Sequence, residues 1–377
     1  MSHPTPITAL HLASGDRWAG AEVQLFTLLT QLRCRDDVVP RAILLNDGEL
    51  AQRLRERDIG VDILDESRLS STAIFAGLRE LLRKHSPQIL HTHRLKENIL
   101  GTLANTFANT PTARARSVRT VHGAPEHAPR RLPQKAIRAL DIWTGNHLQQ
   151  RVIAVSQDLA GKLRNDFRHV DVIENGVDIG AVRATVKPVD FRLAAPDTTH
   201  IGIVGRLDPV KRIDIFLTMA AQLLREQPQK AWHFHVFGEG ALETALKAQA
   251  AALQIDHAVT FHGHRRDIAA CIAGLDAIVM CSDHEGLPMT VLEALAVGTP
   301  MLAHATGGLN AVLAGGAGGL LVANHSTAGY VQGLLALLDS DRTALKANGL
   351  SRLQAQYSAG ANAQRVAELY RSVLPKT

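Results

Sequence analysis

The sequence predicts an α/β protein built from two doubly wound parallel-sheet domains, and three observations point there. Buried strand-like runs alternate with amphipathic helical runs from end to end, the pattern of parallel sheets covered by helices. The chain has 377 residues, more than one hydrophobic core usually serves. Residues 180 to 199 then lose clear periodicity and carry Pro188 and Pro196, which marks a boundary. We therefore expect a first domain over 1–190, a second over 191–355, and a closing helical segment over 356–377.

The first strand, ITALHLAS, leads into GDRWAGAEVQLFTLLTQL, where Gly15 and Gly20 bracket a loop before a helix with an apolar stripe. Strand, glycine turn and helix is the layout of phosphate-binding loops. A GxGxxG is missing, so the dinucleotide fingerprint fails; a substrate loop and a simple tight turn both fit. RAILLND, VDILDES and ILHTHR follow as strands. His91 and His93 stand two apart and so share one strand face. They could begin a metal site, but no third ligand suggests itself, and a place near a ligand-binding edge is preferred. SVRTVHG ends in His122-Gly123 at a carboxyl edge, where ligands gather in open α/β sheets.

Residues 124 to 150 combine Arg130, Arg131, Lys135 and Arg138 with Ile137, Leu140, Ile142 and Trp143. A basic helix with an apolar side suits the surface of an anionic membrane, and equally a helix packed on one side and solvated on the other. RVIAVSQDL and VIENGVD complete the first half, with Asn175-Gly176 as a turn.

The second half opens with HIGIVGRLDPVKRI. A buried strand ends at Gly205-Arg206, and Lys211 lies at the start of the next helix. Two cations beside a glycine at such a junction can neutralise a diphosphate that approaches the backbone. WHFHVFGEG and VTFHGHRRDI continue the pattern, with His262, Gly263 and His264 at a strand end. The stretch AIVMCSDHEGLPMTVLEALAVGTP centres this half. A buried run ends in a turn with Glu285 and Gly286, and Pro288 opens a helix in its first turn. Glu293 lies on that helix, and Gly298 and Pro300 close it. Helix-end amides suit phosphate, and paired carboxylates suit sugar hydroxyls. Asp339-Ser340-Asp341 between helical stretches is expected to be a helix cap.

Bulk composition narrows the function classes. The chain is 46% hydrophobic and 20% charged, ordinary for a globular protein. No apolar run has membrane-span length, and MSHPTPITAL lacks the basic and apolar regions of a secretory signal. Cys34, Cys271 and Cys281 show no CxxC and lie in or beside apolar segments, which suggests buried thiols in a reduced, cytoplasmic protein. The net charge is +5, yet aromatic content is 4% and no nucleic-acid motif is present. Phosphate-bearing substrates or an anionic membrane explain the charge.

These motifs carry a family resemblance. Glu285, seven residues, then Glu293, with EG-x-P after the first and EA-x-A-x-G-x-P after the second, resembles the signature of the retaining, GT-B-type glycosyltransferases of family 4. GRL followed by Lys211 is similar to that family's diphosphate site, although Arg212 stands where Gly is common. Ala19-Gly20-Ala21-Glu22 resembles its first loop, normally GG-A-E, with Ala19 in place of the first Gly. Thr306-Gly307-Gly308 also matches, but Ala311 stands where relatives carry Glu. The last segment is similar to the family's closing helix, which crosses back to the first domain; its Val366, Leu369, Tyr370 and Val373 form an apolar stripe.

The resemblance implies two Rossmann-like domains facing across a cleft, acceptor on the first and nucleotide-sugar on the second. The catalytic residues it implies are His122, Arg206, Lys211 and Glu285. Its donor-binding set is Gly205, Arg206, Lys211, His262, Gly263, Glu285, Gly286, Leu287, Pro288 and Glu293. An acceptor or phosphate loop would comprise Gly15, Gly20, Ala21 and Glu22. Arg206 and Lys211 would stabilise the diphosphate, Glu293 the ribose hydroxyls, Glu285 the sugar hydroxyls, and His122 would position the sugar. The donor implied is a UDP-sugar, with GDP- and ADP-sugars as alternatives; neither metal nor other cofactor is implied. The acceptor would be a glycan or lipid-linked molecule of cell-envelope or exopolysaccharide synthesis. The enzyme would be cytoplasmic, with peripheral membrane contact through residues 130–143 as a further expectation. Noncatalytic sugar-nucleotide or glycan binding on the same fold is the main rival. A dinucleotide-dependent oxidoreductase would need the missing fingerprint, and a membrane-docked scaffold would lack activity.

Overall fold

A computed structural model describes residues 5–16, 18–108, 114–123, 131–193 and 196–375. The chain divides into two compact units, residues 1–176 with 359–377 and residues 177–358. The division thus falls ahead of the expected residue 190. Part of the supposedly aperiodic stretch forms a short helix of unit 2, capped by Asp178, whose Oδ1 accepts from the Ala181 N–H at 2.9 Å. Asp178 comes two residues after Gly176, and such a local cap needs no long-range periodicity to announce it.

Unit 1 alternates strand and helix as β1 (Ile7–Ala13), α1 (Gly20–Arg33), β2 (Val38–Leu44), α2 (Glu49–Arg55), β3 (Gly60–Ile63), α3 (Ser71–His85) and β4 (Ile89–Thr92). It continues through α4 (Leu95–Thr106), β5 (Arg116–Val121), α5 (Leu132–His147), β6 (Arg151–Ala154), α6 (Gln157–Leu163) and β7 (Val170–Val172). All pairings are parallel, in the order β3-β2-β1-β4-β5-β6-β7. The chain winds outward from β1 in one direction and from β4 in the other, so the switch between β1 and β4 sits at mid-sheet. Register sets His11 of β1 opposite His91 of β4.

Unit 2 begins with α7 (Ile179–Thr185) and continues β8 (Thr199–Val204), α8 (Ile213–Glu226), β9 (Trp232–Phe237), α9 (Glu243–Ala252), β10 (Val259–Gly263) and α10 (Ile268–Ala273). Then come β11 (Ala277–Met280), α11 (Met289–Val297), β12 (Met301–His304), α12 (Leu309–Val312), β13 (Gly319–Val322), α13 (Thr327–Asp339) and α14 (Arg342–Gln356). The parallel order is β10-β9-β8-β11-β12-β13, with the switch between β8 and β11. Every residue of β11 is buried, as expected of a strand covered on both faces. Asp341 caps α14 by accepting from the Thr343 and Ala344 N–H groups, so the Asp-x-Asp is a cap.

The chain closes in α15 (Ala359–Val373), which belongs to unit 1. Its Val366, Ala367, Leu369 and Tyr370 join Leu25, Leu28 and Leu29 of α1 in one core. Burying an aliphatic side chain of this size contributes about 1.5–3 kcal/mol, so the stripe holds the last helix to the first unit. Cys271 and Cys281 are buried, but Cys34 is exposed, which corrects the expectation of three buried thiols. It follows the last turn of α1 as the cap residue, where the apolar stripe has already ended.

Candidate active site

Unit 2 assembles its charged groups on the loops after β8 and β11, the two strands flanking the switch point. Gly205 follows β8, and its N–H donates to the Phe237 carbonyl at 3.0 Å. A single 3-10 turn, Pro209–Lys211, comes next, so Lys211 precedes α8 rather than lying in it. Arg212 is left-handed (φ 49°, ψ 46°), which is why glycine is favoured at this position. Its guanidinium offsets that strain through ion pairs with Asp214 and Asp283 at 2.9 and 3.2 Å. Lys211 Nζ donates to Glu285 Oε1 at 2.6 Å, and the Glu285 side chain is only 8% exposed. Arg206 Nη1 lies 2.5 Å from Asp208 Oδ2 and is half exposed.

Glycines let the loops of this site approach each other. A Cβ on Gly307, itself left-handed at φ 54°, would lie 1.8 Å from the Glu285 carbonyl oxygen. Gly308 donates its N–H to the Gly286 carbonyl at 2.8 Å, and Asp283 donates to Val210 at 2.9 Å. The Glu285 loop is thereby tied on one side to Thr306-Gly307-Gly308 and on the other to the turn that carries Lys211. Pro288 is the residue before α11 (φ −70°, ψ 138°), one position earlier than expected, because its extended ψ cannot belong to the helix. No side chain caps α11, so the amides of its first turn face a site already rich in anion-binding groups. Gly298 ends the helix in the left-handed cap conformation.

Glu293 lies half-buried in the second turn of α11, with no ion pair among the described residues. Burial pushes its carboxyl up to about 7. Hydroxyl donors would favour its charged form. The His262 side chain continues inward along the sheet: its Nε2 is bonded to His235 Nδ1 at 2.9 Å, and His235 Nε2 to His200 Nδ1 at 2.9 Å. Burial and the neighbouring imidazoles hold His235 down at about 3. Gly263 is left-handed at φ 65°, and the His264 N–H donates to Glu239 Oε1 at 3.1 Å.

In unit 1 only one glycine of the first loop is conformationally required. Gly15 has φ 71°, whereas Gly20 opens α1 with open space at its Cβ position. Ala19 is extended (φ −136°, ψ −178°), a conformation any residue adopts, so its replacement of glycine carries no backbone strain. Glu22 is buried and ion-paired to Arg94, which also contacts Asp16 at 3.1 Å. Burial raises the Glu22 carboxyl despite that cation.

His122 follows β5 and ends a chain of buried rings. Its Nε2 is bonded to His93 Nδ1 at 3.3 Å, and His93 Nε2 to His11 Nδ1 at 3.1 Å. His11 Nε2 and His91 Nδ1 share the Tyr370 hydroxyl at 3.1 and 2.7 Å, and His91 Nε2 reaches Thr120 Oγ1 at 2.8 Å. The expectation that His91 and His93 have no third companion is therefore corrected: His11 brings its nitrogens within 4.8 Å of theirs. It comes from β1, eighty positions away in the chain, which spacing within one strand cannot reveal. Burial holds all four imidazoles well down, His122 at about 4 with help from Arg94. Neutral rings each carry one proton and one lone pair.

Sequence reasoning missed His11, Thr120, His200, His235 and Glu239, and saw Tyr370 only as part of a stripe. One signal was available: polar imidazoles inside otherwise apolar central strands, as in ITALHLA and WHFHVF. Arg130 and the rest of 124–130, part of the basic segment, lie outside the described residues.

Two doubly wound parallel-sheet units make up the GT-B fold, and a lysine–glutamate pair and helix-end amides lie at the carboxyl edge of the second. A model described as Glycosyltransferase Family 4 matches residues 8–180, and one described as Glycosyl transferases group 1 matches 198–340. The chain belongs to the group 1 glycosyltransferases. It is 27% identical to a D-inositol 3-phosphate glycosyltransferase of Thermobispora bispora, over 95% of this chain and 87% of that protein. A UDP-Gal:alpha-D-GlcNAc-diphosphoundecaprenol alpha-1,3-galactosyltransferase of Escherichia coli is 26% identical over 70% of this chain and 69% of its own length. Among solved structures, Anabaena HepE in complex with UDP and glucose superposes with a TM-score of 0.82 at 21% identity, covering 97% of this chain and all (100%) of that one.

Proposed function

We propose that this enzyme transfers a hexosyl or similar sugar from a UDP-sugar to a hydroxyl of a glycan or lipid-linked acceptor, with retention and without a metal. The single observation that carries the reading is the Lys211–Glu285 pair, held beside Gly205-Arg206 and the uncapped start of α11. In the absence of donor the lysine neutralises the carboxylate. On binding, Lys211 and Arg206 turn to the diphosphate, and Glu285 is left to accept from sugar hydroxyls. As the bond from the anomeric carbon to phosphate breaks, its electron pair goes to the diphosphate, where the two cations stabilise it. The acceptor oxygen bonds to the anomeric carbon from the same face and its proton passes to the departing phosphate oxygen. Glu293 accepts from the ribose hydroxyls, His262-Gly263 borders the base, and His122 positions the sugar. Gly15, Gly20, Ala21 and Glu22 belong in this reading to the acceptor or phosphate loop of unit 1.

The activity for which the Escherichia coli relative is named, with a UDP-sugar and a lipid diphosphate, and the UDP and glucose bound to HepE support the donor and acceptor classes. They favour cell-envelope or exopolysaccharide synthesis on the inner face of the membrane. No helix among the described residues is long and apolar enough to cross a membrane. Peripheral contact is supported by α5, which exposes Leu132 at 82%, Ile137 at 47%, Leu140 at 39% and Trp143 at 47% beside Arg131 and Lys135.

The experiment is a thermal-shift series with UDP, GDP, ADP and their sugars in EDTA, followed by a transfer assay on lipid-linked acceptors. Binding to the folded state raises the melting temperature by mass action. A rise with uridine compounds, undiminished by EDTA, is expected. A metal requirement, or a response to another base alone, overturns that part of the reading.

A further inference from the structure

The ring chain in unit 1 has a property that its separate hydrogen bonds do not reveal. Six groups in line, His122, His93, His11, Tyr370, His91 and Thr120, are joined by five contacts of 2.7 to 3.3 Å. Each neutral group carries one proton, so every contact is satisfied, and the proton of the buried Tyr370 hydroxyl is also used, only when all protons point the same way along the line. Two arrangements meet that condition. In the first, His122 Nε2–H donates to His93, each ring donates to the next, Tyr370 donates to His91, and His91 donates to Thr120. His122 Nδ1 is then a bare lone pair. In the second, Thr120 donates to His91 and every link reverses; His93 Nδ1–H then donates to His122 Nε2, and His122 Nδ1 carries the proton.

His122 Nδ1 is buried and has no partner among the described residues, and among them it is the one nitrogen of the four rings left uncommitted. A ligand hydroxyl there would face an acceptor in one arrangement and a donor in the other. The two hydroxyl groups are the only members of the line that can turn their proton without exchanging ring nitrogens. Tyr370 sits in the middle of it, on α15, and is itself fully buried. We propose that Tyr370 acts through His11 and His93 as a positioning residue, fixing which nitrogen of His122 bears the proton and hence the sense of its hydrogen bond to substrate. This rests on the reading that His122 meets the transferred sugar. The last helix of the chain thereby sets the chemistry at the end of β5.

The test uses the full-length enzyme labelled with 15N-histidine, whose long-range proton–nitrogen correlations distinguish the two neutral tautomers. Wild-type His122 is expected in one tautomer. Tyr370→Phe keeps the ring and removes the hydroxyl, so His122 becomes a mixture. In transfer assays Tyr370→Phe lowers kcat by about tenfold, the scale of one misdirected hydrogen bond, with KM for the donor little changed. The double variant Tyr370→Phe with His122→Gln is no slower than His122→Gln alone. A wild-type His122 already divided between tautomers overturns the proposal, whether or not the variant folds. An unchanged tautomer in Tyr370→Phe, or losses that multiply in the double variant, does so too. Wild-type turnover by His122→Gln would instead remove the substrate role of His122, and the tautomer spectra would still decide the relay.

Discussion

The two units place imidazoles at the same kind of position, yet use charge in opposite ways. In unit 1 the rings of His122, His93, His11 and His91 line up across β1, β4 and β5, close on Tyr370 and Thr120, and are neutral throughout. In unit 2 the line His262–His235–His200 crosses β10, β9 and β8 and ends on a buried His200 Nε2 without a partner among the described residues. The loop groups of unit 2 are charged instead: Lys211 with Glu285, Arg206 with Asp208, and Arg212 between Asp214 and Asp283. A loop at a sheet edge keeps charges hydrated enough to remain ionised, whereas the middle of a sheet tolerates polar groups only when they are neutral and bonded or, like buried Arg119 with Asp141, charged and paired. Diphosphate chemistry belongs on the first kind of surface and directional hydrogen bonding on the second.

The largest effect should come from breaking the charged side. Lys211→Ala removes the cation that would meet the diphosphate and strands a nearly buried Glu285. Transfer should fall by about 10²–10³-fold, or about 3–4 kcal/mol of transition-state stabilisation, measured as kcat/KM with the fold checked by circular dichroism. Near-normal turnover would mean that unit 2 does not work through this charge.

Acid should break the neutral side. His11, His91 and His93 have folded values well below the 6.5 of an unfolded histidine, so the unfolded chain takes up protons that the folded one refuses. Their contribution is complete above pH 6.5 and declines as pH falls below it. By pH 5.5 the loss should be about 1 kcal/mol for each ring, read from urea unfolding at pH 7.5 and 5.5. A flat profile over that range would show that the rings titrate freely.

Glu293 sharpens the contrast because its sign is reversed. Its carboxyl is raised from 4.5 to about 7, so its stabilisation is full below pH 4.5 and disappears as pH rises through 7. Glu293→Gln should stabilise the free protein at pH 8 by on the order of 1 kcal/mol and leave it unchanged at pH 4.5. The same variant should weaken UDP binding by about tenfold, one charged hydrogen bond's worth. Equal affinity by calorimetry would relocate the ribose contact. The smallest effect is expected at Arg212. Arg212→Gly relieves a left-handed backbone at about 1 kcal/mol and gives up two part-exposed ion pairs of similar total size. Its melting temperature should stay within a few degrees of wild type, and a large drop would make the Asp283 contact a structural anchor.

Legibility in the sequence follows the same division. Strand and helix alternation, the two-unit plan and the motifs GRL with Lys211 and Glu285 to Glu293 are local patterns, and local backbone chemistry sets them. Pro288 and Gly298 bracket α11 to within a residue because the proline ring fixes φ and removes an N–H, while glycine, lacking a Cβ, takes the left-handed cap without strain. The unit boundary was less legible, since a single Asp178 cap extends unit 2 into a stretch without periodicity. Cys34 looked buried because an apolar helical run leads up to it, but exposure depends on where a helix stops.

By itself, then, the amino-acid order determined the α/β class, the glycine turns and the charged motifs of unit 2, all of which act over a few residues. Only the tertiary structure decided that Lys211 answers Glu285, that Glu293 is held near 7, and that Tyr370 closes a ring chain with His11 and His91. Those facts come from parallel strand register and from a last helix returning to the first core. Parallel sheets join strands that are far apart in sequence, so no local pattern carries the contacts between them.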